Sequence, residues 1–135
     1  MMLSDVHDFI ESLNLAESVY MSTMPDKKEK SIGVYNSKHQ REYKTAIGGS
    51  RLESYGTKYV TLLIHWNKSP RDSEKAALDV FEAVENARNV TVNAELIKFI
   101  QPLYEPQDVG KDDAGICEWV IEMAVIYEKG KGEKE

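Results

Sequence analysis

Apolar and polar residues alternate most regularly near the C-terminus of the chain. In ICEWVIEMAVIYE (116–128) one face would carry Cys117, Trp119, Ile121, Met123, Val125 and Tyr127. Period-two alternation of this length is typical of a β-strand with one face in a core. We therefore predict a long strand at 116–128, and we expect Trp119 to pack in the core against the helix that carries Phe81.

A second segment, TKYVTLLIHW (57–66), is apolar at nearly every position. Apolar residues on both faces indicate a strand in the middle of a sheet, covered on its two sides. Shorter strands are predicted at 17–24, 31–36 and 94–101, where turn residues or charged runs bound short apolar stretches.

Two segments have helical spacing. The first helix is predicted to begin with Ser4 as its N-cap and to end near Asn14. Its buried face would hold Val6, Phe9, Ile10 and Leu13. The second helix, within 69–87, has a strong start, because Ser69 can cap it and Pro70 suits its first turn.

The predicted order of elements is α-β-β-loop-β-α-β-β. Such an order suggests an α+β domain over residues 1–129, with two helices packed on one face of a mostly antiparallel sheet. The last residues, 130–135, are charged and broken by glycine, so we predict a disordered tail.

One long connection, SKHQREYKTAIGGSRLESYG (37–56), fits neither a helix nor a strand pattern; we name residues 37–56 the arm. Connections of this length are uncommon in compact domains and usually have a function or are disordered. The arm mixes basic residues with apolar ones, so we predict contacts with a partner there. The candidate contact residues are Arg41, Lys44, Arg51 and Tyr55, since Arg and Tyr are enriched in interface cores.

Length, charge and cysteine content narrow the class of protein. The chain has 135 residues, a net charge of −6 and one cysteine. The negative charge argues against tight binding to nucleic acid, and the single cysteine excludes a disulfide within the chain. The N-terminus has no signal-peptide pattern, and the apolar runs are far shorter than the roughly 20 residues of a membrane span. These features predict a protein that folds in the cytoplasm, with neither nucleic acid nor membrane as a specific partner.

The acidic stretch DVGKDDAGICEW (108–119) is the first candidate for chemistry. A calcium loop of the EF-hand type needs oxygen ligands at positions 1, 3 and 5, glycine at position 6 and glutamate at position 12. Counted from Asp108, those positions hold Gly110 at the third place, Asp113 at the sixth and Trp119 at the twelfth. The template fails, and Asp with Gly is typical of a tight turn. We predict a polar reversal that leads into the final strand.

The remaining candidates do not assemble a catalytic or cofactor site. The three histidines, His7, His39 and His65, lack zinc-binding spacing, and His65 is expected to be packed or hydrogen-bonded in the sheet. Cys117 alternates with apolar residues and is expected to be a buried, inert thiol. Gly48-Gly49 matches no phosphate-binding motif. We therefore predict no catalytic residues, no cofactor and no metal.

The order of several stretches resembles that of tail-terminator-like or minor capsid proteins of siphophages and related prophages. The matching stretches are YMSTMPDKKEKSIGVY, the region of Gly48-Gly49, the central strand running into RDSEKAALDVFEAVENA, and PLYEPQDVGKDDAGICEWVIEMAVIYE. Together they cover nearly the whole chain. Where the family often has a basic residue near the end of the central strand, this chain has HWNK.

The resemblance implies a virion structural protein with no catalysis and no cofactor. Such a protein is assembled in the bacterial host cytoplasm, and its subunits form a ring, six-fold in the family, that caps the tail tube. Its partners would be further copies of itself, the major tail tube protein, and the head-completion or connector protein. The alternatives are a cytoplasmic module of α+β type that binds a ligand or peptide, and, less favoured for want of a site, a small enzyme.

The arm supplies the first testable prediction. Because it is polar yet carries scattered apolar residues, it gains little by packing on its own domain and more by ordering against a neighbour. We expect fast amide hydrogen exchange across residues 37–56 in the free chain and slower exchange after assembly. Equal, fast exchange in both states would exclude the arm from assembly, and slow exchange in the free chain would make it part of the fold.

Overall fold

The computed structural model describes residues 1–25, 28–38 and 55–128. Two helices and seven strands follow one another in this order: α1 (Leu3–Ser12), β1 (Ser18–Met21), β2 (Ser31–Asn36), β3 (Tyr55–His65), α2 (Pro70–Glu85), β4 (Arg88–Val92), β5 (Glu95–Pro102), β6 (Gln107–Lys111) and β7 (Cys117–Glu128). The predicted tail at 130–135 and most of the arm lie outside the described residues.

The predicted fold class is wrong. The chain is mostly β, with 46% of the described residues in strands and 24% in helices, and the sheet curls into a half-barrel. The two helices do not pack side by side on one face of a flat sheet, as the α+β prediction required. The seven strands form one sheet in which the path runs β1-β2-β3-β7-β5-β4, and β6 pairs with β7 beside that path.

The pairing of β3 with β7 forms the centre of the sheet. These two strands are antiparallel and in register over eleven residue pairs, from Tyr55 opposite Glu128 to His65 opposite Glu118. Residues directly opposite each other share a face of the sheet. Leu62 and Ile121, for example, are partners and are both fully buried. The predicted long strands at 57–66 and 116–128 are therefore neighbours.

The second side of β7 is shared by two shorter strands. β5 pairs with the C-terminal half of β7, where Pro102 lies opposite Met123, and β6 pairs with its N-terminal end. β4 then pairs with β5. On the other side of β3, β2 is antiparallel to β3, and β1 is parallel to β2. Only this last pair departs from an otherwise antiparallel sheet.

Helix α1 shows how strongly the sheet curls. It packs against β1 and β2 at one end of the strand order and against β4 at the other end. Asn93, in the turn between β4 and β5, donates hydrogen bonds from its side chain to Asp5 and Asp8 of α1 at 3.0 and 2.7 Å. A flat sheet could not bring both of its ends to one ten-residue helix. The curl is thus the reason that the layered description fails.

One hydrophobic core fills the inside of the curl. α2 packs against the strands in the middle of the sheet, β3, β5 and β7, while α1 closes the gap between the ends. The largest fully buried side chains are Ile10, Ile32, Leu62, Ile64, Ile97, Ile116, Ile121 and Met123. They come from α1, from four strands and from the residue before β7, so elements far apart in the sequence share this core. No helix among the described residues is long and apolar enough to cross a membrane.

The helix starts were predicted with mixed success. Ser69 does cap α2, because its hydroxyl accepts a hydrogen bond from the backbone N–H of Asp72 at 3.3 Å. Ser4 does not cap α1; Met2 stands at the N-cap, and its backbone N–H donates to the carboxylate of Asp5 at 2.8 Å. The acidic residue in the first turn therefore satisfies a backbone donor at this end.

Trp119 lies on the predicted face but at the rim of the core. It is opposite Ile64 of β3 and packs against the core while remaining partly buried. Truncation of Trp119 to alanine should therefore cost about 3 kcal/mol, the lower end of the range for a core aromatic residue. Unfolding by denaturant would measure this loss of stability.

Leu78 provides the matched control for Trp119. It lies on the exposed side of α2, where truncation to alanine should change the free energy of unfolding by less than about 0.5 kcal/mol. If Trp119→Ala were as stable as Leu78→Ala, the face that carries Trp119 would be a surface and not the edge of a core.

Candidate functional site

The predicted interface residues fall into two groups. Arg41, Lys44 and Arg51 lie outside the described residues. Tyr55 is described and is the first residue of β3, not part of an irregular loop, and its side chain is 54% exposed. The arm therefore returns to the sheet at the end of the β3–β7 pair, and Tyr55 is accessible there.

His65 is the most constrained titratable residue of the described structure. It ends β3, between Ser31 of β2 and Glu118 of β7, and it is only 3% exposed. Its Nδ1 lies 2.5 Å from the backbone oxygen of Lys28, and its Nε2 lies 2.7 Å from Oδ2 of Asp112. One imidazole thus joins the end of the central strand to the segment before β2 and to the turn before β7.

Asp112 organises the turn predicted within 108–119, although residues 108–111 of that stretch belong to strand β6 and residues from 117 onward to β7. Its Oδ1 accepts hydrogen bonds from the backbone N–H groups of Ala114 and Ile116, both at 2.9 Å. Gly115 has a φ of +85°, which glycine adopts without the strain that a side chain would bring. The sequence identified the turn chemistry correctly, but it contained no signal that Asp112 would meet His65.

The geometry favours the protonated form of His65. Both of its ring nitrogens face acceptors, a backbone carbonyl and a carboxylate, and only the imidazolium ion donates from both nitrogens. Burial lowers the pKa of His65, but the hydrogen bond to Asp112, that to Lys28 and the nearby negative charges outweigh it, so the pKa is raised above 6.5.

The two carboxylates near His65 respond in opposite directions. The hydrogen bond from His65, followed by those from the backbone, lowers the pKa of Asp112 below 3.8. Burial raises the pKa of Glu118 above 4.5, and the charge of Asp112 adds to this, although His65 opposes it. Glu118 lies 3.9 Å from His65. Asp112 is therefore the direct ion-pair partner of His65, and Glu118 is a weaker neighbour.

His7 makes a similar connection on α1. Its Nδ1 lies 2.9 Å from Oδ1 of Asp8, and its Nε2 lies 3.0 Å from the backbone oxygen of Val19 in β1. Burial lowers the pKa of His7, but the hydrogen bonds to Asp8 and Val19 and the charge of Glu11 outweigh this effect. The pKa of His7 is therefore raised above 6.5. Asp8 also accepts the hydrogen bond from Asn93, so these contacts hold α1 to both ends of the curled sheet.

Both clusters contain the side-chain types of a metal site. In His65–Asp112–Glu118 and in His7–Asp8–Glu11, the ligand atoms lie within 4.8 Å of one another. In each cluster, however, a ring nitrogen lies within hydrogen-bond distance of a carboxylate, as expected for an ion pair. The arrangement explains a structural role for both histidines, and the expectation that folding needs no metal stays a prediction.

The outer edge of the β5–β6 side is one of the open edges of the described sheet, beside those of β1 and β4. β4 pairs with β5 only as far as Phe99, so no strand of the described residues covers residues 100–102 on that side. Further along, all five residues of β6 are exposed, and no described strand pairs with its outer side. Unpaired edges of this kind can add a strand from another chain.

A groove of about 570 Å³ lies beside this edge, between the end of α2 and the segment that leads from β5 to β6. Its aromatic residues include Phe99, which is 38% exposed, and Tyr104, which is 48% exposed. The full lining is Phe81, Glu85, Arg88, Phe99, Ile100, Gln101, Pro102, Leu103, Tyr104 and Glu105. The groove can accept apolar side chains, and no recognisable motif in the sequence indicated it.

Comparison with known families identifies the class of protein. Residues 9–129 match the family model described as bacteriophage tail terminator protein. The match runs from α1 through all seven strands. The chain belongs to the bacteriophage tail terminator family. The predicted resemblance is thereby confirmed at the level of the family. No curated protein matches the chain.

Membership in the tail terminator family has direct consequences for the site. It implies a structural component of the phage particle that contacts other tail or head proteins. For such a protein the important features are surfaces that meet other subunits. The candidate functional surfaces are therefore the open β5–β6 edge with its groove and the described ends of the arm, Ser37 and Tyr55. The histidine clusters hold together the elements that carry these two surfaces.

The histidine clusters predict how stability changes with pH. The folded-state pKa values of His65 and His7 are raised. Their contribution to the free energy of unfolding is therefore fully present below about pH 6.5 and is lost as the pH rises through the raised values. The lowered pKa of Asp112 has the opposite sign, and its contribution disappears as the pH falls below about 3.8. We expect the free energy of unfolding to be highest near pH 4, to fall as Glu118 loses its proton above about pH 4.5, and to fall again toward pH 8 as the histidines lose theirs.

Two glutamine variants separate the histidines. His65→Gln should lower the free energy of unfolding at pH 6 and reduce the decrease of that free energy between pH 6 and 8. His7→Gln should remove only the part of this decrease that comes from His7. Denaturant unfolding at a series of pH values measures both. A decline that is unchanged in the His65→Gln, His7→Gln double variant would show that other groups cause it.

Proposed function

We propose that this tail terminator caps the tail tube as a ring of identical subunits and offers the opposite side of the ring to the head connector. The observation that carries the proposal is the family match over residues 9–129. Six subunits are the number that the family resemblance implies. The ring would stop elongation of the tube and provide the joint between tail and head.

The shape of the described sheet supports a ring. A ring of identical subunits needs two different surfaces on each subunit, because the contact is made head to tail. The arm begins and ends between β2 and β3, whereas the open edge of β5 and β6 lies beyond β7. The two candidate surfaces are thus on opposite sides of the central strand pair, as repeated head-to-tail contact requires.

The charge of the chain is compatible with a channel for DNA. The net charge is −6, and phosphates are repelled by negatively charged surfaces. A ring that lets DNA pass must not hold it, so an acidic lumen suits the role. The charge supports the absence of specific nucleic-acid binding, which we also propose.

The arm is proposed as part of the assembly contact. Arg41, Lys44 and Arg51 would contact acidic groups on a neighbouring subunit or on the major tail tube protein, and Tyr55 would contribute an exposed aromatic ring at the base of the arm. We propose no catalytic role, in keeping with a family of structural proteins.

Tail length in a phage that carries this gene tests the proposal. Disruption of the gene should yield tails of variable and excessive length that are not joined to heads, and expression of the wild-type chain should restore normal length. Electron microscopy of lysates measures both features. Tails of normal length, joined to heads in the absence of the protein, would contradict the proposal.

A further inference from the structure

We propose that the groove beside β5 receives the arm of a neighbouring copy of the same chain. This inference rests on the proposed ring and names its contact. The groove is defined by Phe81, Phe99, Leu103 and Tyr104, with Glu85 and Glu105 at its rim. The occupant is the part of the arm between residues 39 and 54.

The groove has the features of a site for an extended segment. Its side toward β5 is a sheet edge without a described partner strand at residues 100–102, so backbone groups there can pair with an incoming strand. Its aromatic residues Phe99 and Tyr104 are partly exposed beside that edge. Backbone pairing would supply affinity, and the apolar surface would select the side chains of the segment.

The charge of the groove favours a basic occupant. Glu85 and Glu105 are acidic, and the groove contains one basic residue, Arg88. The guanidinium of Arg88 donates to the backbone oxygens of Glu85 and Ala87 at 2.9 and 2.8 Å and lies 5.9 Å from the centre of the Phe99 ring. Since Arg88 is engaged by these contacts, the two carboxylates dominate the rim.

The arm supplies the complementary chemistry. Between residues 39 and 54 it carries three basic residues, Arg41, Lys44 and Arg51, against two acidic ones, Glu42 and Glu53, together with apolar residues such as Ile47 and Leu52. The C-terminal residues 129–135, KGKGEKE, are basic in part but contain no apolar residue. Of these two segments outside the described structure, the arm alone combines positive charge with side chains that would fill the groove.

The position of the arm favours a contact between copies. Its first residue, Ser37, is held at the sheet, because its backbone N–H donates to the oxygen of Tyr59 at 3.0 Å and its hydroxyl donates to Glu122 at 3.1 Å. Both ends of the arm lie on the β2–β3 side of the sheet, whereas the groove lies beyond β7. Because these two surfaces differ, contacts from the arm of one copy to the groove of the next can repeat in one direction and close a ring.

Cross-linking between chains that each carry one introduced cysteine tests the inference. Ile47→Cys places a thiol in the arm and Gln101→Cys places one in the groove, while native Cys117 is buried. The two full-length variants, with tags of different size, are mixed with and without tail tubes and treated with a short bismaleimide. We expect linked pairs of one arm variant and one groove variant. Leu78→Cys, which lies on the exposed side of α2, replaces Gln101→Cys in the control mixture.

Charge exchange adds a second readout. Arg51→Glu in the arm variant should lower the linked yield by about tenfold, and Glu105→Lys in the groove variant should restore it, because attraction between opposite charges is recovered. Linked yields equal to those of the Leu78→Cys control, or a link only within a single chain that carries both cysteines, would overturn the inference. Capping of tubes is scored in the same mixtures and, in parallel, with the wild-type chain, so a ring that uses other surfaces is distinguished from the absence of a ring.

Discussion

The antiparallel pairing of β3 with β7 is the interaction on which the rest of the structure depends. Eleven residue pairs hold the two longest strands in one register, and their inward residues form the centre of the core. A shift by one residue would turn Leu62 and Ile121 to the outside, which the burial of these side chains strongly disfavours. Every other strand adds to one side or the other of this pair.

The same pairing decides where the subunit can meet its neighbours. Because β7 is longer than either strand on its outer side, β5 and β6 share it end to end, and their outer edge is only partly covered by β4. The connection between β2 and β3 leaves the sheet on the other side of the pair. A curled sheet with different surfaces at its two sides is a suitable building block for a ring, which is consistent with the tail terminator family.

The sequence predicted the strongest elements because their signals are local. Regular alternation identified β7, the continuous apolar run identified β3, and Ser69 with Pro70 identified the start of α2. The two missed strands have weak local patterns: β6 is exposed at all five positions, and β4 is a five-residue strand soon after a helix. β6 shows no alternation in burial, and the alternation in β4 is limited to four residues, Asn89 to Val92, which is too short to distinguish a strand from a loop.

The curl of the sheet and the histidine clusters could not be predicted because they depend on contacts between distant residues. Asn93 reaches Asp5 across 88 positions of the sequence, and His65 meets Asp112 across 47. The sequence indicated turn chemistry around Asp112 and a packed or hydrogen-bonded His65. It did not indicate that Asp112 and His65 would pair with each other. The arm was recognised as unusual from its composition alone, while the groove combines a helix end with a strand edge that only the folded chain brings together.

We propose above all that this tail terminator closes the tail tube as a ring made by head-to-tail contacts between identical subunits. Electron cryo-microscopy of purified protein bound to tail tubes tests it most directly. We expect a single closed ring at the tube end, six-fold symmetric, in which the β5–β6 side of each subunit faces the β2–β3 side of the next. Tube ends without added density, or subunits that touch the tube but not one another, would contradict it.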